Sequence, residues 1–150
     1  MFSKETYITR RAELKKLTES GLILIFGNND SPANYPANTY KFRQDSTFLY
    51  FFGWQRDGLV GVIDVDNDRE YFVGDEIDID DIVWYGSVTS MGEMAARVGV
   101  ARTAKMRELQ NIIDAAKSSG QEIHFLPPYR FDTKIQIMDL LGLHPAVQKE

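Results

Sequence analysis

The chain has 150 residues, 43% hydrophobic and 26% charged, and its 17 Lys and Arg against 22 Asp and Glu give a formal net charge of −5. This composition is that of a folded domain and excludes disordered, collagen-like and coiled-coil chains, while the acidic balance makes nucleic acid a poor partner. The absence of cysteine excludes disulfides, thiolate metal sites and a cysteine nucleophile. The longest apolar run, residues 22–26, is far shorter than the roughly 20 residues of a membrane span, and residues 1–9 lack the apolar core of a signal peptide. We therefore expect a cytoplasmic protein that contacts no membrane.

The N-terminal part of the chain predicts a helix, a strand and a loop. The helix is expected over residues 4–19, with Ser3 as its N-cap and Gly21 as its left-handed terminator. Its apolar face holds three residues: Tyr7, Leu14 and Leu17. Residues 22–26 are uniformly apolar, which is typical of a strand covered on both faces. Residues 27–38 are rich in Gly, Asn and Pro and predict a loop long enough to be a binding loop.

The central part of the chain predicts strands. Residues 47–52 are rich in β-forming aromatic side chains and predict a buried strand. Residues 59–65 and 70–73 are apolar and β-branched, and the polar residues 66–69 lie between them. This pattern predicts a β-hairpin.

Two helices are predicted next. Ser90 and Glu93 have the spacing of a capping box, so a short helix should begin there and end near Gly99. A second helix, ended by Gly120, is indicated by apolar residues on one face: Met106, Leu109, Ile112, Ile113 and Ala116.

The last predicted elements are a strand over residues 123–126 and a helix capped by Asp132 and closed by Gly142. The apolar face of that helix is predicted to hold Ile135, Met138 and Leu141. The sequence of elements indicates an α/β fold, a mixed β-sheet flanked by helices, in a single domain spanning residues 1–150. The charged residues at the end of the sequence suggest that a linker helix to a further domain follows.

Motifs of catalytic and metal sites are absent from the sequence. The alternating carboxylates that begin at Asp64 have Arg69 and Asp75 where an EF-hand loop needs Gly and Glu, so we interpret them as a solvated turn. The two histidines, His124 and His144, do not form a metal-binding pair of recognisable spacing. There is no nucleophile elbow and no glycine-rich phosphate loop.

Polar residues are interleaved with aromatic residues over residues 40–54. Most of these aromatic side chains should be buried, and buried polar groups between them need partners. Two explanations stay open at this point: a buried network of Arg43 with Asp45, or a surface shared with another domain.

Residues 40–54 resemble the N-terminal domain of aminopeptidase P, the Xaa-Pro aminopeptidase of the creatinase and prolidase family. The family motif is matched by eight residues: Tyr40, Arg43, Gln44, Asp45, Ser46, Phe48, Tyr50 and Gly53. Arg10, Arg11 and Leu14 are similar to the family's opening R-R-x-x-L helix, and residues 82–86 (IVWYG) are similar to its I-W-x-G segment.

The resemblance implies a non-catalytic N-terminal domain of a metallopeptidase that removes the residue preceding proline. The two divalent metal ions of such an enzyme, with manganese the expected metal, belong to a C-terminal catalytic domain that no part of this chain matches. The implied partners are that catalytic domain, further copies of the enzyme and a peptide with proline at its second position. Trp84, with Tyr85 beside it, would lie at the pocket rim or in an interface, and ordinary packing is the alternative.

Two other functions stay open. A free-standing, catalytically inactive module of the same fold would bind a peptide or a partner protein. A small-molecule-binding domain would use the loop of residues 27–38.

Overall fold

The computed structural model describes residues 1–80 and 88–144. The helices and strands within these residues, in chain order, are α1 (Lys4–Thr18), β1 (Leu22–Phe26), β2 (Pro32–Tyr35), β3 (Asn38–Thr39), α2 (Ser46–Phe52), β4 (Val60–Asp64), β5 (Arg69–Val73), α3 (Met91–Arg97), β6 (Arg102–Ala104), α4 (Leu109–Ser118), β7 (Ile123–Phe125) and α5 (Phe131–Leu141). A single 3₁₀ turn, Met106–Glu108, leads into α4. None of these helices is long and apolar enough to cross a membrane.

Five of the described strands form one sheet in the order β6-β5-β4-β1-β7. Strand β1 pairs antiparallel with β4 and parallel with β7. Strand β5 pairs antiparallel with β4 and parallel with β6. The predicted mixed sheet and the predicted hairpin of β4 and β5 are both confirmed.

The sheet is covered on both faces, as the uniformly apolar sequence of β1 predicts. One face buries Ile23 and Ile25 against residues of α1, α2 and α3. The other face buries Leu22 and Leu24 together with residues of α4. Helix α5 packs on this second face through Leu140 and Leu141. Alternate residues of β1 thus enter two separate cores, because successive strand side chains point to opposite faces.

The strand predicted over residues 47–52 is wrong, because this segment is helix α2. The Asp45 carboxylate accepts a hydrogen bond from the backbone N–H of Phe48 and caps the helix. Gly53 ends it in the left-handed conformation, with φ 71°. Phe48 and Phe52, one turn apart, are both fully buried and stack at 5.4 Å. The two helix ends and this i, i+4 pair override the β propensity of the aromatic residues.

Two details predicted for α1 are also wrong. Leu17 is 84% exposed, so the buried face holds Tyr7 and the cationic Arg11 instead. The helix is ended by Glu19 (φ 69°), whose N–H donates to the carbonyl of Lys15. Gly21 does have the predicted positive φ (102°), but it lies two residues further along the chain.

The predicted loop of residues 27–38 contains most of a small hairpin, in which β2 pairs with β3. Its strand residues are all exposed, so no alternation of apolar residues marks it in the sequence. Helix α5 begins one residue before the predicted cap Asp132, whose carboxylate binds Arg130 instead. Ile135 is 49% exposed, and the buried residues of α5 are Thr133 and Ile137.

Candidate functional site

The two predicted pocket-rim residues, Trp84 and Tyr85, lie outside the described residues. Their role stays a prediction. The described chain resumes at residue 88 and enters α3, whose first N–H, that of Met91, donates to the carboxylate of Glu76 at 3.1 Å.

Gln44 is the buried centre of the motif segment, with 2% of its surface exposed. Its Oε1 accepts hydrogen bonds from the N–H groups of Asn28 (2.7 Å) and Asp45 (3.0 Å). Its Nε2 donates to the carbonyls of Trp54 (3.1 Å) and Arg56 (2.7 Å). The side-chain amide therefore joins the loop after β1, the start of α2 and the segment after α2, and all its bonding capacity is used.

Asp45 extends this network toward the surface. Its Oδ1 caps α2, and its Oδ2 accepts a hydrogen bond from the Tyr129 hydroxyl at 2.9 Å. Tyr129 comes from the segment after β7, so this bond joins the loops that follow the two parallel strands. Burial of the phenol, together with the negative charge of Asp45, raises the pKa of Tyr129.

The predicted buried network of Arg43 with Asp45 is wrong, since Arg43 is exposed and the buried polar residue is Gln44. Among the other motif residues, Tyr40 is 64% exposed and Ser46 is also exposed. The carbonyl of Tyr50 accepts a hydrogen bond from Arg10, whose guanidinium lies 4.0 Å from the centre of the Tyr50 ring. Thus the motif combines a buried hydrogen-bonding centre with an exposed edge.

Gly53 is needed where α2 meets α1. Its positive φ is unfavourable for other residues, and a Cβ there would lie 2.5 Å from the ring of Tyr7. The motif glycine therefore allows both the end of α2 and the close packing of α1.

An apolar pocket of about 180 Å³ lies at the carboxyl ends of β1 and β7. The exposed surface of its lining is mostly apolar. Six of the lining residues are fully apolar (Leu24, Ile25, Phe26, Leu126, Pro127 and Pro128), and the other six are Asn28, Asp45, Thr47, Tyr129, Arg130 and Thr133. A more open, polar cleft of about 470 Å³ shares Asn28, Tyr129 and Arg130 with this pocket. We call this second cavity the basic cleft, because its lining includes Lys41, Arg43 and Arg130.

Arg11 forms a buried ionic centre that the sequence reasoning missed. The side chain is fully buried and donates to Glu70 Oε2 (3.0 Å), to the Phe51 carbonyl (2.9 Å) and to the Val98 carbonyl (2.6 Å). Burial lowers the pKa of Arg11, and the charge of Glu70 opposes that shift. The R-R-x-x-L pattern was the one available signal, but it does not distinguish buried Arg11 from half-buried Arg10.

The acidic residues of the β4–β5 turn serve a structural network. Asp64 is 5% exposed and accepts hydrogen bonds from Asn67 and from Gln121 Nε2 at 2.8 Å. Although burial acts in the opposite direction, these bonds lower the pKa of Asp64. Within residues 1–80 and 88–144, no three His, Asp or Glu residues are grouped so that they could hold a metal ion.

Comparison with known proteins gives the family. The model of the aminopeptidase P N-terminal domain matches residues 7–124. This chain belongs to that family. The match includes β1, the whole motif segment and all of the central sheet up to His124 of β7. No curated protein sequence is matched.

Solved structures of aminopeptidase P have the same fold as this N-terminal domain. The low-pH form of the Escherichia coli enzyme has a TM-score of 0.77 at 19% identity, covering 95% of this chain. A variant of that enzyme in complex with substrate also has a TM-score of 0.77 at 19% identity, covering 94% of this chain. Pseudomonas aeruginosa aminopeptidase PepP has a TM-score of 0.78 at 17% identity, again covering 94%. The domain spans only 33%, 33% and 32% of those three chains, respectively.

Proposed function

We propose that this chain acts as the non-catalytic N-terminal domain of an Xaa-Pro aminopeptidase. In that enzyme it would narrow access to the pocket of a C-terminal catalytic domain and take part in oligomer contacts. The observation that carries the proposal is the family match over residues 7–124, together with the one-third share of the aminopeptidase P chains that the domain covers. A cytoplasmic location and a peptide substrate with proline at its second position belong to the same proposal.

The metal chemistry is assigned to the catalytic domain. Two divalent metal ions, manganese being the expected metal, would be held there and would activate water for attack on the peptide bond. The part contributed by this chain is steric: an aromatic side chain at the rim can pack on a proline ring and exclude water from the pocket. Trp84 is our candidate for that side chain.

The first experiment measures release of the N-terminal residue from Xaa-Pro peptides by the 150-residue chain with added Mn²⁺. We expect no turnover above the metal-only blank. Metal-dependent turnover by the purified chain would overturn the assignment of a non-catalytic domain.

The second experiment uses the full-length enzyme with Trp84→Ala. We expect a changed kcat/KM for peptide substrates at an unchanged thermal midpoint. Trp54→Ala is the matched control, because Trp54 packs against the core and its Nε1 donates to the Met94 carbonyl at 2.9 Å, so this change should lower the thermal midpoint. A lower midpoint with unchanged kinetics for Trp84→Ala would identify Trp84 as a packing residue.

A second candidate is a free-standing binding module of the same fold, which the apolar pocket and basic cleft favour. The reading frame after Glu150 decides between the two. Continuation into a segment with the Asp, Asp, His, Glu and Glu ligand pattern supports the enzyme domain, and a stop codon supports the module.

A further inference from the structure

The apolar pocket lies where the connections of two parallel strands diverge. After β1 the chain passes to α2, which packs on the face that buries Ile23 and Ile25. After β7 it passes to α5, which packs on the opposite face. In open α/β sheets this divergence leaves a crevice at the carboxyl ends of the strands, and ligands bind in such crevices.

The apolar pocket has the size of one large side chain. Its volume is about 180 Å³, and a cavity of roughly 150 Å³ lined by apolar side chains can hold a benzene molecule. Leu24, Phe26 and Leu126 supply apolar lining. An aromatic ring or a branched aliphatic group therefore fits this pocket.

The basic cleft beside it carries positive charge in an acidic chain. Within the described part of the chain, the lining of this cleft includes no carboxylate, and neither Lys41 nor Arg43 forms an ion pair. Arg130 is neutralised by Asp132 at 3.1 Å. Among the residues that the structure describes, Lys41 and Arg43 thus have no ion-pair partner and can meet an anion at the open side of the apolar pocket.

Asp45 restricts the charge of that anion. Its carboxylate lines the apolar pocket and is held by the Tyr129 hydroxyl at 2.9 Å. A dianion such as phosphate would be repelled by Asp45 more strongly than a carboxylate, because the repulsion scales with the product of the charges.

From these observations we propose that the apolar pocket and the basic cleft together bind a carboxylate joined to an aromatic or branched aliphatic group. The carboxylate would lie near Lys41 and Arg43, and the apolar group would fill the pocket between β1 and β7. The C-terminal residue of a peptide and a free acylated amino acid both have this chemistry. The inference goes beyond the proposed role in an aminopeptidase and does not depend on it.

The test is a titration of the ¹⁵N-labelled chain, followed by amide NMR shifts, with three probes: N-acetyl-phenylalanine, N-acetyl-phenylalaninamide and a tripeptide ending in phenylalanine with a free carboxylate. We expect saturable shifts at Asn28, Thr47 and Tyr129 with the two acids, and about tenfold weaker binding of the amide. Tighter binding of the tripeptide than of N-acetyl-phenylalanine would identify a peptide C-terminus as the natural ligand. Equal affinity for the two acids would identify a small acylated amino acid as the ligand. Equal shifts with acid and amide, or saturable shifts only elsewhere, would overturn the proposal.

Two double variants test the cations. Lys41→Gln with Arg43→Gln should weaken binding of N-acetyl-phenylalanine about tenfold, because each removes an attractive charge. Lys16→Gln with Arg102→Gln changes the net charge equally at exposed positions away from the cleft and should leave the affinity unchanged. All four residues are exposed, so the fold should survive both changes. An equal loss of affinity in the two variants would contradict the site.

Discussion

Arg11→Met tests whether the buried guanidinium holds α1 against the sheet. Methionine replaces much of the apolar volume but donates no hydrogen bonds. The carbonyls of Phe51 and Val98 then lose their donors, and Glu70 loses one of its two cationic partners. Lys15 stays bound to Glu70 at 2.9 Å, so that carboxylate is not left alone.

The expected loss is large for a domain of this size. Removing one partner of a buried ion pair costs about 3–5 kcal/mol, and each buried carbonyl left without a donor costs about 1–3 kcal/mol. These costs overlap, and Lys15 reduces the first of them, so we expect the free energy of unfolding to fall by about 3 kcal/mol or more. Domains are typically stable by about 5–15 kcal/mol, so the variant should fold but unfold at much lower denaturant.

The assay is equilibrium urea unfolding followed by circular dichroism, with Arg10→Met as the matched control. Arg10 precedes Arg11 on the same helix and also donates to a carbonyl, that of Tyr50, but this bond is solvent-exposed. The control should lose less than about 1 kcal/mol, because exposed contacts of this kind contribute little. Equal losses in the two variants, or a loss below about 1 kcal/mol for Arg11→Met, would refute the reasoning.

Three further changes test the other contacts. Gln44→Glu sets a carboxylate against the carbonyls of Trp54 and Arg56, so the thermal midpoint should fall at pH 7 and partly recover at acidic pH. The control variant, Gln136→Glu in α5, should change the midpoint little. An unchanged midpoint for Gln44→Glu would contradict the role of Gln44. Gly61→Ala would bring a Cβ to 2.0 Å from the Phe52 ring and should lower the free energy of unfolding in urea by about 1–3 kcal/mol. The control variant Gly92→Ala, whose Cβ would meet little on α3, should be neutral or stabilising. Similar effects of the two variants would show that the tight contact at Gly61 is absent. Asp64→Asn tests the depressed pKa of Asp64: the carboxylate's stabilisation is complete above its ordinary pKa of 3.8 and is lost as pH falls through the lower folded value. The stability gap between wild type and this variant should therefore shrink in acid, and a gap that does not change with pH would count against the depressed pKa of Asp64.

The buried residues of β1, β4 and β5 could be predicted from the sequence because their signal is local. Five consecutive apolar residues in β1 require cover on both faces of the sheet. The capping box at Ser90 is equally local, and the structure shows both of its hydrogen bonds. The family could likewise be identified from the motif segment, because a motif is matched by the identity and order of its residues. That match does not depend on whether the segment is predicted as a strand or as a helix.

Only the tertiary structure decided the conformation and the partners of that segment. Residues 47–52 are aromatic enough for a strand, and they become a helix because Asp45, Gly53 and the packing of Phe48 on Phe52 act together. Arg11 follows another arginine and Gln44 lies between Arg43 and Asp45, so neither is marked as buried by its sequence context, and their acceptors come from residues up to 87 positions away. The crevice also depends on distant segments, because β1 and β7 pair in the sheet although about 100 residues separate them along the chain. The amino-acid sequence by itself therefore determined the apolar strands, the capping box at Ser90 and the family, while the buried polar centres and the crevice depend on contacts between segments that are far apart along the chain.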